Sequence, residues 1–103
     1  MIEPELFDVI ELLRDLPDYQ LKAGQQGAIV ECYENGKFEV EFSDSDGETL
    51  ALCPLSSEQF IVVWKAKTKQ WLSLAEKVAS VVFHLSDEHR REVLDFARFL
   101  YQR

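Results

Sequence analysis

The run Leu21-Lys22-Ala23-Gly24-Gln25-Gln26-Gly27-Ala28-Ile29-Val30-Glu31-Cys32-Tyr33-Glu34-Asn35-Gly36-Lys37-Phe38-Glu39-Val40-Glu41-Phe42 decides the fold. Phe38, Val40 and Phe42 alternate with Glu39 and Glu41, the period of two that a half-buried strand requires, so the three apolar residues face inward. Asn35-Gly36 tolerates the positive φ of a tight hairpin turn and joins this strand to the β-branched run 28–33. Gly24 and Gly27, three apart, both suit positive φ in a diverging turn ahead of that run.

Outward from this pair the same pattern repeats. Phe7, Val9, Ile10, Leu12 and Leu13 favour a strand that stops at Pro17, which disfavours helical geometry at Leu16; a helix is the alternative there. Asp44-Ser45-Asp46-Gly47 forms a turn, residues 49–53 a fourth strand, and Pro54 with Ser56-Ser57-Glu58 a single helical turn before a fifth strand over 60–64. Five short strands in so little chain fit a small closed barrel, which leaves no free edge to pair unwanted chains.

The last third has helical spacing. Ser73 and Glu76 have capping-box spacing, and Leu74, Val78, Val81, Val82 and Leu85 follow on one face. Ser86-Asp87-Glu88 starts a second helix, with an N-cap hydroxyl and carboxylates at the positive end of the helix dipole. Its stripe comprises Val93, Leu94, Phe96, Ala97, Leu100 and Tyr101, widened by Phe99. The expected architecture is α+β: a small five-stranded β-barrel over 1–64, which the family resemblance below implies is SH3-like, a Lys-rich linker over 65–72 and a two-helix hairpin over 73–103.

Charge divides the chain at the same place. Residues 1–64 hold 14 acidic and 3 basic side chains, net −11, and residues 65–103 hold 5 and 8, net +3. At 103 residues one compact core is expected, burying about two thirds of the unfolded surface. An apolar content of 47% with 12 aromatic residues excludes a disordered chain. No apolar run approaches the roughly 20 residues of a membrane helix, and the start lacks the order of an export signal, so a cytoplasmic address is expected. Cys32 and Cys53 are too few for a metal knuckle and are read as buried reduced thiols, with a cross-linking pair and a reactive role as alternatives.

Asp15-Leu16-Pro17, Leu21-Lys22-x-Gly24-x-x-Gly27-x-Ile29-Val30-Glu31 and Phe38-Glu39-Val40-Glu41-Phe42-x-Asp44-x-x-Gly47 resemble a bacterial domain-of-unknown-function family with an SH3-like barrel, over roughly residues 5–63. Members of that family are similar to small proteins encoded beside toxin-like partners. The Gly24 and Gly27 turn also looks like that of KOW-type barrels, which bind RNA. Against that role, Arg14, Lys22 and Lys37 are the only barrel cations, and phosphate binding runs on Lys and Arg contacts. Glu92-Val93-Leu94-Asp95-Phe96-Ala97-Arg98-Phe99-Leu100 resembles the tails of small bacterial antitoxin-like proteins.

Catalytic motifs are missing. His84 and His89 stand across a turn with no nucleophile at suitable spacing, and there is no phosphate loop, paired-Cys motif or zinc-binding His pair, so neither an enzyme nor a cofactor is expected. Asp44 to Glu48 lacks the ligand order of a calcium loop, so no metal is expected. Binding is the expected work, and the partner is expected to be another protein of basic charge. Its candidate contacts are Val93, Phe96, Phe99 and Leu100 as apolar anchors, with Glu39, Glu41, Asp44 and Asp46 as an anionic strip; a merely solvated acidic face is the alternative. The first expectation is an antitoxin or immunity-type neutraliser. The others are an accessory subunit that self-associates through the helices, and a nucleic-acid module using Lys65, Lys67, Lys69, Arg90, Arg91 and Arg98. The linker lysines are read as solvated, with packing on the acidic barrel as the alternative.

Overall fold

A computed structural model describes residues 2–103. The strands are β1 (Val9–Leu12), β2 (Gln26–Cys32), β3 (Lys37–Ser43), β4 (Thr49–Ser56), β5 (Phe60–Lys65) and β6 (Gln70–Trp71), followed by the helices α1 (Leu74–Phe83) and α2 (Asp87–Tyr101). All pairings are antiparallel, in the order β4-β3-β2-β1-β5-β6.

The sheet is therefore six-stranded and open. Among the described residues no ladder joins β4 to β5 or β6, and the expected closed five-stranded barrel is replaced by a curled sheet. The curl follows from chain length. In the order β4-β3-β2-β1-β5 the outer two strands lie four spacings apart, about 19 Å if the sheet were flat. Only Ser57–Gln59, a single 3-10 turn, connects them, and even fully extended four residue steps reach about 14 Å. Curling also brings Phe38 of β3 and Phe60 of β5 into edge-to-face contact at 5.7 Å between ring centroids. Register shifts at Val9/Ile10, Ile29/Glu31 and Phe42/Ser43 supply the extra twist.

The concave face encloses the core: Ile10, Leu12, Leu21, Ile29, Val40, Phe42, Cys53, Leu55, Phe60 and Val62, with Phe38 packed against it. Inward alternation along β3 is as its sequence dictates. The Asn35-Gly36 hairpin forms with Gly36 at φ 78°, and Tyr33 N–H donates to the Lys37 carbonyl at 2.8 Å. Gly24 takes φ 92°, but Gly27 does not share that role. It lies inside β2, where an added Cβ would stand 2.8 Å from Val40 Cγ1 and 2.9 Å from the Glu41 carbonyl oxygen. Pro54 lies within β4 rather than after it, because β4 is an edge strand with no outer ladder to feed.

Residues 65–72, read as a linker, carry β6. Lys69 at φ 56° closes a turn in which its N–H donates to the Lys65 carbonyl at 2.7 Å, and Trp71 pairs with Trp64. Lys65 is not solvated; its Nζ donates to Asp8 Oδ2 at 2.6 Å, Glu5 Oε1 at 2.8 Å and the Glu3 carbonyl at 2.8 Å. Asp8, at 0% exposure, also accepts from the backbone N–H groups of Ala66 and Glu5. Lys67 and Lys69 are exposed.

Of the two thiols, Cys53 is buried and Cys32 is exposed, correcting the expectation that both are enclosed. Burial first, then the carboxylates Asp8, Glu5 and Glu31, raises the Cys32 thiol above its ordinary value. Burial and Glu39 do the same at Cys53. Both shifts suppress the thiolate, the reactive form.

The α1 start has the expected capping box. Ser73 Oγ accepts from Glu76 N–H at 3.1 Å, and Glu76 Oε1 accepts from Ser73 N–H at 2.9 Å. The backbone hydrogen bond from Ser73, then its side chain, holds the Glu76 carboxyl below the usual range. A lowered folded value means that this support is present above the unfolded value and lost as pH falls through the folded one. Protection of the amides of residues 74–77 against exchange, relative to unstructured peptide at the same pH, should therefore fall on acidification below the ordinary glutamate range. In Glu76→Gln that pH dependence should vanish; an unchanged acid response would assign it elsewhere.

Candidate protein interface

The two helices leave the sheet differently. α1 packs on β5, pinned by Lys77 Nζ to Glu11 Oε2 at 3.0 Å. His84, at its C-terminal end, spans to the 3-10 turn: Nδ1 is 2.8 Å from the Ser80 carbonyl and Nε2 is 2.9 Å from the Ser57 carbonyl. Between α1 and the sheet lies a cleft of about 300 Å³ lined by Ile2, Phe60, Val62, Ala79, Phe83 and His84.

Arg90 fixes the corner between the helices. Its Nε donates to the Val82 carbonyl at 3.0 Å, Nη2 to the Phe83 carbonyl at 2.7 Å and Nη1 to Asp87 Oδ1 at 3.0 Å. One guanidinium thus satisfies the Phe83 carbonyl, adds to a Val82 carbonyl that already accepts from Leu85 N–H, and ties down the first turn of α2. Ser86 Oγ accepts from His89 N–H at 3.2 Å and caps α2.

Beyond that corner, among the described residues, α2 makes no extensive contact with another element. The radius of gyration is 14.9 Å, against about 13 Å for a compact chain of 100 residues, as a projecting helix requires. The apolar stripe consequently faces solvent: Phe96, Phe99 and Tyr101 are 60%, 57% and 93% exposed, and Leu94 and Leu100 about half exposed. Val93 alone among the four anchor candidates is partly covered. The Phe96 and Phe99 rings stack at 6.0 Å, and the Arg103 guanidinium carbon stands 6.0 Å from the Phe99 centroid. On α1, Leu74 and Val78 are exposed as well. Together these side chains leave an extended apolar array in solvent.

The acidic candidates lie elsewhere, on β3 and the turn after it. Asp44 is structural: its Oδ1 accepts from the N–H groups of Asp46 and Glu48, both at 2.9 Å. Glu41 Oε2 accepts from Thr49 Oγ1 at 2.9 Å. Glu39 turns one oxygen, Oε1, into a buried position without a hydrogen-bond partner. Asp46 and Glu48 are exposed. The Tyr33 phenol is raised above its ordinary value by desolvation and then by Glu39 and Glu31, a local sign of the negative field. The strip and the α2 stripe are separate surfaces, not one site.

Lys65 and Arg90, two of the six cations considered for nucleic acid, are engaged internally. Neither engagement is visible to periodicity; Lys65 and Asp8 lie 57 residues apart, and Arg90 reads in sequence as one more cation on the polar side of α2. Among the described residues no cluster of three metal-ligating side chains converges, and no helix is long and apolar enough to cross a membrane.

The fold is thus a small α+β unit, a curled antiparallel sheet bearing two helices. Residues 6–62 match the family model described as a domain of unknown function (DUF4926), and the chain belongs to that family. No curated protein and no solved structure matches it.

Proposed function

We propose that this chain is a non-enzymatic protein-binding factor of the cytoplasm, an antitoxin or immunity-type neutraliser of a basic partner protein. The observation that carries the reading is the exposed stripe of α2, held away from the sheet by the Arg90 corner. Burying apolar area is worth about 25 cal/mol per Å², so Phe96, Phe99, Leu100 and Tyr101 in water forfeit several kcal/mol that a bound chain recovers. The mechanism is occlusion. Glu39, Glu41 and Asp46 with the rest of the net −11 sheet region steer a cationic partner, and the stripe is buried in the complex. Asp44 contributes charge while holding its turn. The curled order with a 3-10 turn before β5 supports assigning the sheet to the SH3-like barrels.

Isolation of the tagged chain from its native host tests this. A stoichiometric basic protein should accompany it and be lost in Phe96→Asp. Retention of that protein in Phe96→Asp contradicts the anchoring role. A second reading, self-association through the helices, is favoured by the way charge is arranged along α2.

A further inference from the structure

We infer that the apolar face of α2 is covered by α2 of a second copy of this chain, antiparallel about a twofold axis beside Ala97 and Arg98. The inference rests on the reading of this face as a protein interface and takes up the second reading, self-association, with a second copy in place of the basic partner on the α2 stripe.

The first support is charge order. The acids of α2, Asp87, Glu88, Glu92 and Asp95, all precede Phe96, whereas Arg98 and Arg103 follow it. Of the two cations in the first half, Arg90 is engaged at the end of α1. Parallel packing would set like charge against like; antiparallel packing about this axis sets Glu92 against Arg103 of the second copy.

The second is register. Residues equidistant from the axis meet, which sets Phe96 level with Phe99 of the second copy, Leu94 with Tyr101, and Glu92 with Arg103. Continuing about 100° per residue past Tyr101 through Gln102, which keeps αR geometry, places Arg103 within about 20° of Glu92 around the axis. They therefore flank the face on one side, and an isologous antiparallel pair brings that flank against itself, making the same contact twice. Within one chain, Glu92 lies about two and a half turns of helix before Tyr101 and Arg103 lies two residues beyond that end, so the two do not pair there. Arg103 already lies over the Phe99 ring at the margin of the face, and Ala97 at the axis allows close approach.

The third is area. At about 100° per residue Leu94 and Tyr101 stand about 160° around the helix from Phe96 and Phe99, so one helix covers Phe96, Phe99 and Leu100, whose exposed parts at about 150–200 Å² per large side chain give roughly 300 Å² per copy. A pair then removes about 600 Å² from water, the range of a weak, concentration-dependent association. Such a dimer leaves both acidic β3–β4 hairpins open to a basic partner.

Light scattering of the purified full chain across the micromolar range tests the assignment. The expected mass is twice 12.0 kDa. Glu92→Arg and Arg103→Glu should each weaken the dimer roughly tenfold, and the double charge swap should restore it. A monomer at every concentration, or a dimer whose single variants are not rescued by the swap, overturns the proposal. A monomeric chain whose Phe99→Glu variant loses capture of the basic protein removes the second copy and keeps the face as a protein interface. A monomeric chain whose capture ignores Phe99→Glu removes both.

Discussion

Lys65→Met should destabilise the fold by about 3–5 kcal/mol, the cost of leaving a buried carboxylate without its cation. Asp8 is fully enclosed, and its Oδ2 lies 2.6 Å from Lys65 Nζ. The surrounding N–H groups of Glu5 and Ala66 are aimed at that carboxylate and cannot relocate without opening β5 and the segment before β1. A domain of this size has about 5–15 kcal/mol in total, so the variant should unfold at far lower urea. The double variant Asp8→Asn, Lys65→Met should recover part of the loss, since no buried charge is stranded. Equal midpoints for wild type and Lys65→Met would contradict the coupling.

The same contact sets the alkaline limit. Burial pulls the Lys65 ammonium down, but the hydrogen bonds and charges of Asp8 and Glu5 more than reverse this, leaving it above lysine's ordinary 10.5. A raised folded value contributes stability that is complete below the unfolded value and lost as pH climbs through the folded one. Alkaline unfolding should therefore begin above the ordinary lysine range.

Gly27→Ala should be the second severe change, about 1–3 kcal/mol or more from overpacking. Its Cβ would meet Val40 Cγ1 at 2.8 Å, Phe42 Cδ1 at 2.9 Å and the Glu41 carbonyl oxygen at 2.9 Å. The first two contacts are with core side chains, and the third is with the backbone of β3, which moves only if the β2–β3 ladder moves. Gly24→Ala offers a contrast, because nothing lies within 4 Å and the strain comes from φ 92° alone. Urea midpoints should fall further for Gly27→Ala; the reverse order would mean that backbone φ, not close approach, explains both glycines.

These two sites mark where reading the chain residue by residue stops. The β3 alternation, the Asn35-Gly36 turn and both helix caps are local, encoded within a few residues, and all were legible. Lys65 was not, because its partners come from the opposite end of the sequence and meet it only when β1 pairs with β5. Gly27 resembles Gly24 in spacing, yet its reason is the neighbouring strand. β6 is two residues long, too short for any period to show. The α2 stripe was legible as amphipathic, but its exposure is a tertiary fact set by Arg90 turning the chain away from the sheet. The strip of acids was legible as charge, whereas the turn-holding role of Asp44 is a matter of hydrogen bonds.

The proposed function requires that α2 present Phe96 and Phe99 to another polypeptide chain. Replacing Phe99 with a photo-activated cross-linking residue in the native host tests it most directly. Adducts joining the chain to a second polypeptide, a further copy or a basic protein, are predicted. Cross-links confined to the same chain, reaching the cleft between α1 and β5, would contradict it.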